Sequence, residues 1–402
     1  MNSELKYTQN RIWKAKFQSI PFYVFRIFPI RRKKIVFCCI EGTTGYTCNP
    51  KYIAEELIRR RENYELVWLV NDTTKKFPKE IKKVRNTLWN RAYHLTTAHF
   101  WVDNSRKQLE VRKRKGQVYL QTWHAKLGFK PTCLDRGASF SPIAYLVSRH
   151  DSEMIDYVLS NSKWYDDTLP TGMIYDGPTI RTGSPRCDIL VNDRTEIRKR
   201  VRKNYKLPMD AKILMYAPTF RGGSQGTNRR ISTNQAFPNY RRLTETLEMR
   251  FGGTWYIFLR LHPQLVARNM DKNMAGKAAL TDAGGSLADV SRVDDMYEIL
   301  AGCDAFMTDY SSAAFDAAVM KVPVFIYADD YTEYENERGR LLWDLRELPF
   351  PLALNDDELE EQIKRFDEDA YREKLEQLFI HTEMLEDGKA AEHAAEKIEE
   401  MT

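Results

Sequence analysis

No run of about 20 apolar residues occurs anywhere in this 402-residue chain, so no segment is long enough to cross a bilayer as a helix. The most apolar early stretch, residues 20–28, is short and carries Arg26. It also lacks the small-residue cleavage site of a secretory signal. Cysteine is scarce: Cys38, Cys39, Cys48, Cys133, Cys187 and Cys303 form no CxxC pair and no zinc spacing. They read as reduced thiols suited to the cytosol. The signatures GxxxxGK[ST], GxSxG and HExxH are missing, which removes P-loop enzymes, nucleophile-elbow hydrolases and zincins from consideration. No nucleic-acid-binding motif appears, so no nucleic-acid partner is expected. No cofactor and no metal site is expected either: Asp294-Asp295 and Asp329-Asp330 read as a helix start and a loop.

What is present is a globular composition, 43% apolar and 29% charged, at a length that calls for two domains rather than one core. The net charge of +6 hides an asymmetry. Residues 1–34 hold nine Lys/Arg and one acidic residue, and residues 355–402 hold 17 Asp/Glu against six Lys/Arg. A basic start and a basic centre favour an anionic partner or substrate. The start also interleaves its charge with Trp13, Phe17, Phe22, Tyr23, Phe25 and Phe28 ahead of Arg31, Arg32, Lys33 and Lys34. Such a segment can lie on an anionic membrane surface, or it can pack as a helix on the domain behind it. Pro21 and Pro29 rule out one continuous helix. The acidic end reads as solvated amphipathic helices, with Leu359, Ile363 and Phe366 at helical spacing.

Between these ends, short apolar runs alternate with helical patterns. Residues 35–40, 66–70, 100–102, 118–123 and 157–160 read as strands, and Asn49-Pro50 opens a helix over 50–61, with Asn49 as cap. A charged helix around 190–205 leads to Leu207-Pro208, a linker. The alternation restarts with strands at 213–217, 254–261, 305–308 and 324–327 and helices at 240–251, 296–301 and 311–320. Two such blocks predict an α/β protein of two doubly wound, Rossmann-like domains facing a cleft. The expected divisions are 1–34 (a basic aromatic segment, membrane-facing on the first of its two readings), 35–205 (the first block), 206–354 (the second block) and 355–402 (acidic helices).

Ligands of such sheets bind beyond the carboxyl ends of the strands, and four segments there carry chemistry. Gln121-Thr122-Trp123-His124 delivers a histidine, a structural residue or a general base, with Lys126 and Lys130 close by in sequence. Tyr216-Ala217-Pro218-Thr219-Phe220-Arg221 and Arg260-Leu261-His262-Pro263 each end a strand in a cation or donor. Thr308-Asp309-Tyr310-Ser311-Ser312 runs into two serines that open a helix, either as a simple cap or as a phosphate cradle.

Together with Asn49-Pro50-Lys51-Tyr52-Ile53, Gly183-Ser184-Pro185-Arg186-Cys187-Asp188 and Glu335-Asn336-Glu337-Arg338-Gly339, these motifs in this order resemble the CDP-glycerol glycerophosphotransferases of teichoic acid and capsule synthesis. The resemblance implies a GT-B fold, with 35–205 as the acceptor-side domain and 206–354 as the nucleotide-donor domain, and a peripheral enzyme of the cytoplasmic membrane face. The donor would be CDP-glycerol or a related CDP-polyol such as CDP-ribitol, the acceptor a hydroxyl of a polyprenyl-linked molecule, and the by-product CMP. It implies His124 as general base, and His262 with Ser311 and Ser312 on the donor pyrophosphate. Arg221 and Arg260 would give electrostatic support, and Asp309 would orient a donor or cap. Ala125, where the family usually has glycine, and Cys187, where it usually has asparagine, depart from the pattern on the acceptor side. A GT-B glycosyltransferase or epimerase using a UDP-sugar is the alternative enzyme class, and a nonenzymatic membrane-surface or nucleic-acid-binding protein the alternative beyond enzymes.

Overall fold

The computed structural model describes residues 3–61, 63–219, 237–261, 285–338 and 340–402. The chain divides into two units. Residues 1–126, 132–188 and 383–402 form the first, and residues 127–131 and 189–382 the second.

Seven strands make the first sheet: β1 (Arg31–Cys38), β2 (Glu65–Val70), β3 (Ile81–Arg85), β4 (Ala98–Asp103), β5 (Val118–Gln121), β6 (Tyr157–Ser160) and β7 (Thr179–Arg181). Their order is β3-β2-β1-β4-β5-β6-β7, and every pair is parallel. Alternate residues of one strand enter opposite cores, as a two-residue period requires. Val36, Cys38, Val67, Leu69 and Trp101 pack on one face, and Ile35, Phe37, Leu66, Trp68 and Phe100 on the other. The second sheet holds β8 (Lys212–Tyr216), β9 (Trp255–Leu259), β10 (Leu287–Asp289), β11 (Ala305–Thr308), β12 (Val324–Tyr327) and β13 (Leu352–Ala353). Its order is β10-β9-β8-β11-β12-β13, again parallel throughout.

All nine strands expected from the sequence are present. The four that were not expected, β3, β7, β10 and β13, are the four sheet edges. A central parallel strand is buried on both faces and reads as an apolar run. An edge strand such as Ile81-Lys82-Lys83-Val84-Arg85 is mostly exposed and carries charge, so it gives no such run.

The units divide at 188/189, upstream of the 205/206 boundary expected from the sequence. Helix Thr195–Asn204 is tied to the second unit by the buried Arg202, which donates to the carbonyls of Ala211 (2.8 Å) and Gly302 (3.0 Å) and pairs with Asp304 (2.8 Å). The acidic end forms the expected amphipathic helices, with charged positions exposed and apolar positions packed. Leu359, Ile363 and Phe366 are buried in the second unit, and residues 383–402 return to the first. There Ala394, Ala395 and Ile398 join the core beside Ile53, Leu57 and Trp68, and Arg60 meets Glu396 (3.2 Å) and Glu399 (2.9 Å).

Residues 3–34 combine a set of side chains packed on the first unit with a set left exposed. Along helices Ser3–Gln18 and Ile20–Val24, Thr8, Ala15 and Phe22 recur every seven residues and are buried. Trp13 (61% exposed), Phe17 (65%), Ile20, Val24 and Ile27 (79%) form an uncovered stripe at three- and four-residue spacing. Lys34 does not belong to that surface. It is fully buried, and its Nζ donates to the Thr97 hydroxyl at 2.7 Å.

Because Ile398 is fully buried, Ile398→Ala is predicted to destabilise the first unit by about 2–4 kcal/mol. Urea unfolding followed by tryptophan fluorescence measures it; a loss below about 1 kcal/mol would mean that the terminal helix is not part of the core.

Candidate active site

The polar chemistry of the first unit gathers where β1, β4 and β5 end. In the order β2-β1-β4-β5 the switch point lies between β1 and β4, the place where such sheets leave room for ligands. Asn104 follows β4, and its Oδ1 accepts the N–H of Ile40, which follows β1 (2.8 Å). Thr122 follows β5 and is fixed to Asp103, its N–H and hydroxyl both donating to the Asp103 carbonyl (2.8 and 3.0 Å).

His124, half-buried, lies in the same loop. Its Nδ1 is 2.7 Å from the carbonyl oxygen of Asn104. A carbonyl only accepts, so in this pair Nδ1 carries the proton and the neutral ring keeps its lone pair on Nε2. That tautomer leaves Nε2 able to accept a proton. Burial holds the ring below the ordinary histidine value; the bond to Asn104 opposes this, and the Arg186 and Arg106 guanidiniums add to the lowering. Lys126, which the sequence placed among the cations near this loop, is buried and turned to the Gly183 carbonyl (2.8 Å).

Three of the motifs noted in the sequence converge here. Asn49 does not cap its helix. Thr47 is the N-cap residue of helix Cys48–Arg59, and the fully buried Asn49 amide donates to the carbonyls of Thr122 (3.2 Å) and Trp123 (2.9 Å) while accepting the Arg186 N–H (3.2 Å). Arg186 donates in turn to the His124 carbonyl (2.7 Å). Gly183 brings that segment close, at φ +93°. A Cβ there would stand 3.0 Å from the Leu385 carbonyl oxygen, so only glycine fits. Asn104 was not singled out from the sequence, although the rule that found His124, a polar residue directly after a strand, applies to it equally.

In the second unit the switch point lies between β8 and β11, and Asp309-Tyr310-Ser311-Ser312 stands there. Asp309 is fully buried and receives the Thr219 N–H on both oxygens (2.9 and 3.0 Å). It therefore orients the Thr219 segment that leaves β8. Ser311 Oγ accepts the Ala313 N–H (3.3 Å). Ser312 is the N-cap residue of helix Ala313–Ala318 and makes no side-chain cap bond. Both serines are partly exposed. Segment 127–131 packs beside them: a Cβ on Gly128 would lie 3.8 Å from that of Ser312, and the Phe129 ring meets that of Phe315 at a tilt, with centroids 4.9 Å apart. Arg260 follows β9, but its guanidinium is bound to the carbonyls of Val290 (2.7 Å) and Val293 (2.5 Å). Burial lowers its pKa, with Asp295, Asp294 and Asp289 acting in the opposite direction. Arg221 and His262 lie outside the described residues. Asp295 starts helix Met296–Leu300 by accepting the Tyr297 N–H (3.0 Å), and Asp330 accepts the Tyr310 hydroxyl (2.9 Å).

Two Rossmann-like parallel-sheet units with polar loops at their switch points define a fold of the GT-B type. A solved structure of the wall teichoic acid polymerase TagF shares it, with a TM-score of 0.78 at 24% identity over 100% of this chain and 98% of that one. Residues 20–400 match the CDP-Glycerol:Poly(glycerophosphate) glycerophosphotransferase family, and the chain belongs to that family. It is 27% identical over 380 residues to a teichoic acid poly(glycerol phosphate) polymerase of Staphylococcus epidermidis, covering 92% of this chain and 51% of that protein. It is 28% identical over 386 residues to a teichoic acid poly(ribitol-phosphate) polymerase of Bacillus spizizenii, covering 93% and 57%. The chain thus spans about half the length of these two relatives.

The environment of His124 fixes the sign of its titration. With the charged form disfavoured by burial and two guanidiniums, its midpoint is predicted to lie below the usual value of about 6.5. Imidazole NMR of the free protein, with His124→Ala to assign the signal, checks it; a midpoint above 6.5 would contradict the environment described.

Proposed function

We propose that this chain transfers glycerol phosphate from CDP-glycerol to a hydroxyl of a lipid-linked teichoic acid or capsule acceptor. The acceptor oxygen forms a bond to the glycerol-bearing phosphorus, the bond from that phosphorus to the bridging oxygen breaks, and CMP leaves with the electron pair. The acceptor proton passes to Nε2 of His124. The observation that carries this reading is the Nδ1–H bond from His124 to Asn104, which leaves Nε2 as the basic nitrogen at a strand end. Phosphoryl transfer asks mainly for positioning and charge stabilisation. Ser311, Ser312 and the backbone N–H groups beside them seat the donor phosphates, with His262 and Arg221 as further ligands. Asp309 and Arg260 act through the backbone they hold: Asp309 fixes Thr219, and Arg260 fixes the segment at Val290 and Val293.

A CDP-ribitol donor is the second reading, because similarity to the ribitol-phosphate polymerase matches that to the glycerol-phosphate polymerase. CMP release measured with each donor decides between them. His124→Ala is predicted to lower turnover by about 10²–10⁴-fold while leaving CDP-glycerol affinity, measured by calorimetry, within about twofold. Near wild-type turnover would remove His124 from the role of base.

The same reading places the chain on the cytoplasmic face of a membrane, where a nucleotide-linked donor and a lipid-linked acceptor meet. Among the described residues no helix is long and apolar enough to cross a bilayer. The exposed stripe Trp13, Phe17, Ile20, Val24 and Ile27, with Lys14, Lys16, Arg26, Arg32 and Lys33 exposed around it, supports attachment to an anionic surface. Lys14→Glu with Lys16→Glu is predicted to weaken sedimentation with anionic vesicles, as added salt does. Equal binding to neutral and anionic vesicles would refute the electrostatic part.

A further inference from the structure

Trp123 has φ +48°. The left-handed region is uncommon for any residue with a Cβ, and for a bulky one it marks a conformation that its surroundings impose. Two fully buried amide side chains impose it here. On one side Gln121 Oε1 accepts the Trp123 N–H at 3.0 Å. On the other, Asn49 Nδ2 donates to the Trp123 carbonyl at 2.9 Å and to the Thr122 carbonyl at 3.2 Å. The peptide groups on both sides of the Trp123 Cα are therefore held, and the left-handed φ depends on both clamps.

The Gln121 side chain is itself fixed from below. Its Nε2 donates to the Tyr119 hydroxyl (2.8 Å) and to the Ser105 carbonyl (3.1 Å). The Tyr119 hydroxyl donates to Asp151 Oδ1 (3.1 Å), and Asp151 also receives the Lys107 N–H (2.8 Å). These amide orientations follow from the partners, since a carbonyl can only accept and an N–H can only donate. Gln121, Tyr119 and Asp151 are all fully buried. The line from Asp151 through Tyr119 and Gln121 thus ends on Trp123, the residue directly before His124. The Trp123 and His124 rings adjoin, tilted by 36° with 4.6 Å between centroids.

We propose that Gln121 is a positioning residue for the transfer reaction: by holding Trp123 left-handed, it keeps His124 Nδ1 on the Asn104 carbonyl and so keeps Nε2 as the basic nitrogen. The inference rests on the reading of His124 as the base. A side chain of nearly the same shape without the amide, Gln121→Met, frees the Trp123 N–H. Trp123 then returns toward negative φ, and His124 leaves Asn104.

The test pairs kinetics with a spectroscopic readout. In Gln121→Met, kcat for CMP release from CDP-glycerol with a lipid-linked acceptor analogue should fall about 10–100-fold, the scale of a misplacement near 1 Å, while KM for CDP-glycerol stays within about twofold. In the same variant without substrate, ¹⁵N imidazole NMR should show His124 passing from the single Nδ1–H tautomer to a mixture. An unchanged kcat, or an unchanged tautomer beside a lowered kcat, overturns the proposal. If Gln121→Met does not fold, Gln121→Asn applies the same test, because its shorter amide cannot reach both Trp123 and Tyr119. His124→Ala is measured alongside. If it keeps turnover, the base assignment has failed, and the tautomer of the Gln121 variant still decides whether the clamp exists.

Discussion

Every strand of both sheets runs in the same direction as its neighbours, and the rest of the structure depends on that constraint. A parallel sheet needs helices on both faces, so its central strands are buried on both sides and have no place for polar side chains along their length. Lys34, a lysine buried near the start of β1, is an exception and reaches the Thr97 hydroxyl for compensation. Elsewhere the polar groups collect where strands end, and parallel strands all end at one edge. Asn104, His124, Asp309 and Ser311 each follow a strand at that edge of their own sheet.

Loops at such an edge have to be held open against collapse, and buried amides and carboxylates do this in both units. Asn49 and Gln121 hold the Trp123 turn, and Asp309 holds Thr219. In each case a buried side chain binds backbone groups that have no strand partner, so buried polar groups are satisfied and the loop has one conformation. His124 inherits its tautomer from this arrangement, because the carbonyl it meets is fixed before any substrate arrives.

The ends of the chain contribute differently. The last 20 residues complete the core of the first unit and bring Glu386 against the Ser184 N–H (2.9 Å) and the Asn161 amide (2.9 Å). Burial raises the pKa of Glu386 to about 7. Residues 3–28 attach through a stripe recurring every seven residues and leave a second apolar stripe uncovered. A run of residues that looks uniformly aromatic in sequence is thus divided by helical geometry into an anchor and an exposed face.

The sequence alone determined the α/β class, the nine central strands and the strand-end positions of His124, Asp309, Ser311 and Ser312. These features are local: an apolar run, its length and the polar residue that stops it are all contiguous. It did not determine the edge strands, whose pairing is supplied by a neighbour rather than by their own composition. Nor did it determine the role of Asn49, which resembles a helix cap until the loop after β5, 73 residues away, brings the Thr122 carbonyl within reach. Arg260 reads as a free cation in a motif, and only the fold supplies the Val290 and Val293 carbonyls that engage it. The tertiary structure alone decided which of these polar side chains hold backbone, because that depends on partners distant in sequence.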